Sequence, residues 1–366
     1  MLPAPGPSDK AYCRAILPRV SRTFAINIRL LGNDLRDPVR IGYLLCRICD
    51  ALEDSWPGEP AAIAARFVRL REAIEGSASA SDDLARGAAS IAGGRDDLEL
   101  AAHLPAVLAC FGALDPGDRA AIAECLTTMS EGMSRYRVRA ALSPEAPYLD
   151  TEAELHDYCW CVAGCVGRML TRLFNRRHPA RSSEIDSLRL ERAPAVGEAL
   201  QLTNIILDWP VDLRRGRCHV PGQWLRELGL KPADLVGAPR PEQRVLLARM
   251  VFLAERARAQ VPGYLDLIPV GAVRFRIFCL WPSLWAAASL DRAIEDPRFP
   301  WGEERPRLSR ARLWGVALGS IPFAHHPAMI RRLFFHESAA RNRGADGAGT
   351  EVPASSLSPP SRSSAP

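Results

Sequence analysis

The stretch CRICDALEDSW, residues 46–56, gathers Asp50, Glu53 and Asp54 at the end of an apolar run. On a helix, Tyr43, Arg47, Asp50 and Asp54 recur at spacings of 4, 3 and 4 and share one face, with Glu53 beside Asp50 at i+3. Leu44, Leu45, Ile48 and Leu52 point elsewhere, into apolar packing. Carboxylates near a helix C-terminus oppose the helix dipole, and Trp56-Pro57-Gly58 ends this helix just after them. A hard divalent cation such as Mg²⁺ takes oxygen ligands, commonly one or two carboxylates completed by water and phosphate. Taken alone, the motif equally fits a solvated acidic helix end.

A second polar face changes that balance. In GEALQLTNIILDWPVDLRRGRCHVP, residues 197–221, Gln201, Asn204, Asp208 and Asp212 fall at spacings of 3, 4 and 4, while Leu202, Ile205 and Ile206 carry the apolar side. Amides and carboxylates repeated over three turns suit a second set of metal and phosphate ligands. Arg214, Arg215 and Arg217 follow and suit an anionic phosphate. Two such faces opposed across a helical bundle would form a cavity with two acidic walls. Mg²⁺ between the walls and a diphosphate would neutralise the anion and help it leave.

The elements that must position these faces are helical. Apolar periodicity predicts helices near 9–17, 20–31, 35–54, 60–76, 82–91, 97–112, 116–138, 151–174, 191–213, 222–228, 241–260, 264–268, 271–294, 308–319 and 326–335. Strand signals are almost absent, so the fold class is all-α, one helical bundle spanning 9–335. Residues 336–366 are rich in Ser, Pro, Gly and Ala and read as a disordered tail.

Composition narrows the function classes. With 48% hydrophobic and 24% charged residues, the chain can bury a large core. A net charge of +5 with no dense basic cluster argues against nucleic acid. Lys10 and Lys231 are the only lysines, so nearly all the positive charge is Arg, the better bidentate partner of phosphate. No run of 18 apolar residues occurs, and Ile277 to Leu290, interrupted by Pro282, reads as buried helix. The ten cysteines lack framework spacing and MLPAPGPSDK lacks a signal-peptide pattern, so reduced thiols in a cytoplasmic protein are expected. Cys46 and Cys49 form a CxxC on an apolar helical background and read as packing residues.

Over roughly 12–295 the chain resembles the head-to-head prenyl synthases, comprising squalene, dehydrosqualene and phytoene synthases. SRTFAINIRLL (21–31) is similar to the segment that helps bind diphosphate, and YLLCRICDALED (43–54) to the first aspartate-rich motif. MSEGMSRY (129–136) resembles a helix near the substrate channel. YCWCVAGCVG (158–167) resembles the YC-x-x-VAG-x-VG segment, and QLTNIILDWPVDLRRGRCHVP (201–221) the second aspartate-rich motif. The resemblance implies an isoprenoid synthase fold around a central cavity. It also implies two prenyl diphosphate substrates, Mg²⁺, and, for squalene, hydride from NADPH.

Residue by residue, it implies Asp50, Glu53 and Asp54 as metal ligands on one wall, and Asn204, Asp208 and Asp212 on the other, with Gln201 nearby. It makes Ser21, Arg22, Arg47 and Arg217 candidates for diphosphate. Tyr158 matches the tyrosine that assists ionisation or steers protons near the cation, and Tyr43 could act similarly. Greasy substrate and product tails imply peripheral membrane contact.

The D-x-x-E-D spacing and MSEGMSRY lean toward squalene synthases, hence toward coupling of two farnesyl diphosphates through presqualene diphosphate. Phytoene synthesis from geranylgeranyl diphosphate, dehydrosqualene formation without NADPH, and a non-catalytic relative are the alternatives. Three departures from the family pattern stand out: Pro210 between Asp208 and Asp212, Cys161 in place of an aromatic, and Cys218-His219 after Arg217. Pro210 is expected to kink its helix.

Overall fold

A computed structural model describes residues 2–142, 148–236, 240–301 and 305–334, with the side chains of 141 and 142 excepted. Among the described residues there is no strand. The first half comprises α1 (Pro7–Val20), α2 (Arg22–Leu30), α3 (Asn33–Asp54), α4 (Pro60–Ile74), α5 (Ala78–Ile91), α6 (Asp96–Ala102), α7 (Leu104–Gly112) and α8 (Pro116–Leu142). The second comprises α9 (Glu152–Cys159), α10 (Cys165–Asn175), α11 (Ser183–Arg214), α12 (Gly222–Glu227), α13 (Pro241–Arg258), α14 (Val261–Asp266), α15 (Val273–Ile294) and α16 (Arg310–Ser320), before a last helical stretch at 327–334. The tail expected at 336–366 lies outside the described residues.

Local chemistry sets many of these boundaries. Side-chain oxygens of Ser21, Ser77, Thr151 and Ser309 accept from backbone N–H groups at the starts of α2, α5, α9 and α16. One helix expected at 97–112 is instead α6 and α7, because Pro105 has no N–H to continue the ladder and its ring crowds the carbonyl of Ala101. The helix expected from 191 begins at Ser183 and runs through both Pro194 and Pro210, so the tertiary packing of α11 overrides the break that proline favours. A 3₁₀ turn at Pro232–Leu235 was not legible in the pattern.

The segment 151–174 also departs from a plain helix. Between α9 and α10, Trp160–Gly164 forms a π-helical turn, the kind of local unwinding that often marks functional sites. Here the glycines admit backbone. A Cβ at Gly167 would lie 2.6 Å from the Ala193 carbonyl oxygen, and one at Gly197 would press still closer on that of Ala163. These contacts bring the α9–α10 rod against α11, so the VAG segment sets the position of the second acidic face.

One continuous apolar core runs from Cys13 to Phe334 and includes Leu44, Leu45, Ile48 and Leu52 of α3 and Leu202, Ile205 and Ile206 of α11. All ten cysteines are buried and free, Cys46 and Cys49 among them. A smaller cluster joins Ile277, Trp281 and Trp285 of α15 to Ala317 of α16. Ile277 to Leu290 lies within α15, and among the described residues no helix is long and apolar enough to cross a membrane.

Candidate active site

The first acidic face is the C-terminal half of α3. Arg47 Nη1 donates to Asp50 Oδ2 at 2.8 Å, an i,i+3 pair on the helix surface. Burial pushes the Asp50 carboxyl above its ordinary range, partly offset by Arg47, and the negative charge of Asp54 pushes it further. Asp54, exposed at the helix end, pairs with Arg217. Arg217 also reaches the Glu53 carbonyl oxygen at 3.4 Å. Burial opposes the charge on Arg217, but Asp54 and Glu53 outweigh it and the guanidinium holds its proton more firmly than usual.

Arg217 lies just past the end of α11, so this contact ties the two acidic segments together across 163 residues. On α11, Asp208 is clasped by Arg305, whose Nη1 donates to Oδ1 at 3.0 Å and Oδ2 at 2.8 Å, while Nη2 donates to Asn204 Oδ1 at 3.1 Å. Asp212, one turn on, lies 3.5 Å from His219 Nδ1. Pro210 therefore leaves both acids in an unbroken helix. The side chain of Gln201 is partly buried and forms no hydrogen bond among the described residues.

Glu53, expected on the metal wall with Asp50 and Asp54, faces inward. Its position on the helix turns it inward; it is 5% exposed, and Tyr148 Oη donates to its Oε1 at 2.9 Å. Burial, then the charge of Asp54, raises its carboxyl to about 7. A helix residue three after Asp50 sits about 60° round the axis, toward the apolar side, which is why Glu53 and Asp54 diverge.

Behind Glu53 lies a cluster of rings. Tyr158, buried on α9, meets Tyr136 edge-on at 5.5 Å and 87°, and Tyr148 at 5.8 Å and 90°. His219 lies 5.3 Å from Tyr158 and 5.1 Å from Tyr148. Burial pushes the Tyr158 hydroxyl well above its ordinary pKa, so it stays protonated. Tyr43 sits apart from this cluster, stacked on Phe24 at 5.1 Å and 27°. Burial lifts its hydroxyl to about 12, against the opposing influence of Arg47 and Ser21 beside it. Ser21 chiefly caps α2, accepting from Phe24 N–H at 3.4 Å, and Arg22 is exposed with no ion pair among the described residues.

Tyr148 and Arg305 escaped the sequence reading. Neither lies in a periodic segment: Tyr148 stands in the loop before α9 and Arg305 in a Pro-flanked loop before α16. His219 was visible only as an oddity after Arg217.

Among the described residues no three His, Cys, Asp or Glu side chains converge on one point. The wall acids are instead spread along two helix faces and matched by Arg47, Arg217 and Arg305. Such a set suits Mg²⁺, which takes few protein carboxylates and fills its octahedron with water and phosphate oxygens. The donor chemistry is all oxygen, and the raised carboxyls of Asp50 and Asp208, each driven first by burial, are those a divalent cation would relieve.

A sequence model of squalene/phytoene synthases matches residues 17–312. The chain is 32% identical over 237 residues to squalene synthase BSS of Botryococcus braunii, covering 63% of this chain and 46% of that protein. It is 36% identical over 198 residues to a 15-cis-phytoene synthase of Paracoccus sp., covering 50% and 59% respectively. The matches thus span about half the length of these curated relatives. A solved ligand complex of TcSQS superposes with a TM-score of 0.71 at 21% identity, covering 91% of this chain and 92% of that one. That likeness establishes the all-α isoprenoid synthase fold.

Proposed function

The chain belongs to the squalene/phytoene synthase family of head-to-head prenyltransferases, and from that premise we propose that it couples two farnesyl diphosphates through presqualene diphosphate to squalene. The observation that carries the reading is the pair of acidic helix faces on α3 and α11, linked by Arg217 and backed by a tyrosine cluster. The D-x-x-E-D spacing favours the C15 substrate.

In this reading Asp50 and Asp54 on one face, and Asn204, Asp208 and Asp212 on the other, would hold Mg²⁺. Bound there, Mg²⁺ supplies Lewis-acid neutralisation of the diphosphate leaving group. Arg47 and Arg217 hold the anion's remaining charge, with Gln201, Ser21 and Arg22 at the margins. Loss of diphosphate from the donor leaves an allylic cation at C1. The acceptor's double bond attacks it, and loss of a proton closes the cyclopropane. A second ionisation follows, and the rearranged cation would take the hydride that NADPH would supply.

Tyr158 is a neutral hydroxyl held among rings whose faces stabilise a neighbouring cation. Its fixed protonation lets it steer a proton without becoming a competing anion. Glu53 holds Tyr148 in that cluster as a positioning residue.

The test incubates the purified protein with Mg²⁺ and each prenyl diphosphate, with and without NADPH, and reads product mass. Squalene from farnesyl diphosphate supports the proposal. Dehydrosqualene or presqualene diphosphate keeps the C15 coupling and removes the reduction. Phytoene from geranylgeranyl diphosphate alone overturns the C15 assignment, and no product from either substrate identifies a non-catalytic relative.

A further inference from the structure

Two thiols far from the acidic walls meet where α1 packs on α7. Cys13 and Cys110 are 97 residues apart in the chain, and the Cys13 S–H donates to Cys110 Sγ at 3.9 Å. A disulfide needs the sulfurs at about 2 Å, a gap that side-chain rotation closes between helices already in contact. Proximity alone does not make a site, since Cys125 and Cys165 lie closer still, at 3.6 Å. Access separates the two pairs. Cys13 and Cys110 line a cleft of about 130 Å³, whereas the cavity beside Cys125 and Cys165 holds only about 10 Å³.

The rim of that cleft is basic. Lys10 and Arg14, one turn apart on α1, line it, are exposed and form no ion pair among the described residues. Arg40, also on the rim, is paired with Asp37. Asp9, which accepts from the Gly6 N–H at 2.8 Å, is the other acid whose charge reaches both sulfurs. Burial raises the pKa of both thiols. The bond between them raises Cys13 further and lowers Cys110, and Lys10 lowers Cys110 again. Cys110 is therefore the sulfur that ionises first, and the thiolate is the nucleophile.

We propose that Cys13 and Cys110 form a redox modification site, oxidised to a disulfide by a small anionic disulfide of the glutathione type that Lys10 and Arg14 draw to the cleft. The Cys110 thiolate attacks one sulfur of the reagent, its S–S bond breaks, and the first thiolate leaves with the electron pair. Cys13 then gives up its proton and attacks the Cys110 sulfur, expelling the second thiolate. The two protein thiols are oxidised by two electrons, the reagent is reduced to two thiols, and the two protons end on those thiols. The bridge staples α1 to α7. Neither cysteine belongs to the acidic walls, so the inference stands apart from the function proposed above.

The test exposes the folded full chain to glutathione disulfide and, separately, to uncharged hydroxyethyl disulfide, alkylates the remaining thiols, and reads intact mass and a peptide map. With glutathione disulfide the chain should lose two hydrogens and the map should join Cys13 to Cys110. The melting midpoint should rise by several degrees, because the bridge closes a long loop in the unfolded chain. With each rate taken relative to that of mercaptoethanol, the anionic disulfide should react about tenfold faster than the uncharged one at low salt. That advantage should fade as salt rises and in the surface double variant Lys10→Gln/Arg14→Gln. Cys13→Ala should stop with one glutathione on Cys110, whereas Cys110→Ala should take none on Cys13. A chain that stays reduced until it is denatured, equal relative rates for the two disulfides, or a bridge joining Cys125 to Cys165 instead would overturn the proposal.

Discussion

Removing the Tyr148 hydroxyl tests whether Glu53 is a buried carboxyl held by one partner. Glu53 is 5% exposed and its pKa rises from 4.5 to about 7, chiefly through burial. Between those values the folded chain holds a proton that the unfolded chain lacks. Stability therefore falls as pH rises from about 4.5 to about 7 and levels off above, by at most about 3 kcal/mol across the window. Tyr148 donates to the carboxylate at 2.9 Å, a charge-assisted bond that exists in full only once Glu53 is ionised. Tyr148→Phe should cost about 2 kcal/mol at pH 8 and about 1 kcal/mol or less at pH 5.5, where the folded carboxyl is neutral. Glu53→Gln should flatten that part of the pH dependence, and in its background Tyr148→Phe should cost about 1 kcal/mol at both pH values. The assay is urea unfolding in chelator, so that cations do not mask the acids. An equal cost of Tyr148→Phe at the two pH values, or an undiminished cost beside Glu53→Gln, would refute the coupling.

Three further outcomes follow from the two walls and the helices behind them. Asp50→Asn and Asp208→Asn should each lower Mg²⁺-dependent diphosphate release at least about a hundredfold, and undiminished turnover in either would remove that residue from the metal set. Arg305→Gln frees Asp208 and Asn204 from their guanidinium, so Mg²⁺ should bind the substrate-free protein several-fold more tightly by calorimetry; unchanged affinity would mean that Arg305 does not compete for the wall. Gly197→Ala drives a methyl into the Ala163 carbonyl and should destabilise the fold by about 3 kcal/mol in denaturant titration, as overpacking does, whereas a cost under about 1 kcal/mol would show that α11 can retreat from the VAG turn.

What the sequence disclosed is what periodicity can encode. Asp50 and Asp54 on one face, and Asn204, Asp208 and Asp212 on another, follow from spacings of 3 and 4 along helices whose apolar sides are equally regular. Helix identities were legible for the same reason, and most failures were boundaries governed by a single proline or by packing: Pro105 split α6 from α7, and α11 begins at Ser183 rather than near 191. The inward turn of Glu53 was not legible, because its partner Tyr148 stands in a distant loop and spacing alone does not fix which flank of an acidic face is core.

The groups that compensate the acids were mostly invisible, and for a physical reason. An acidic face is a local pattern, but the cation or donor that neutralises it is set by tertiary packing and can come from anywhere in the chain. Arg305 reaches Asp208 over 97 residues, Tyr148 reaches Glu53 over 95, and both stand in loops with no period to betray them. Arg217 was legible only because it follows its own acidic helix, although its partner Asp54 is 163 residues away. A sequence pattern can thus locate where charge is gathered. Which of those charges is held in reserve for a ligand depends on how weakly the distant partner holds it. On this site the exposed, arginine-paired Asp54 is better placed to exchange its partner for a cation than the buried, tyrosine-bound Glu53 beside it.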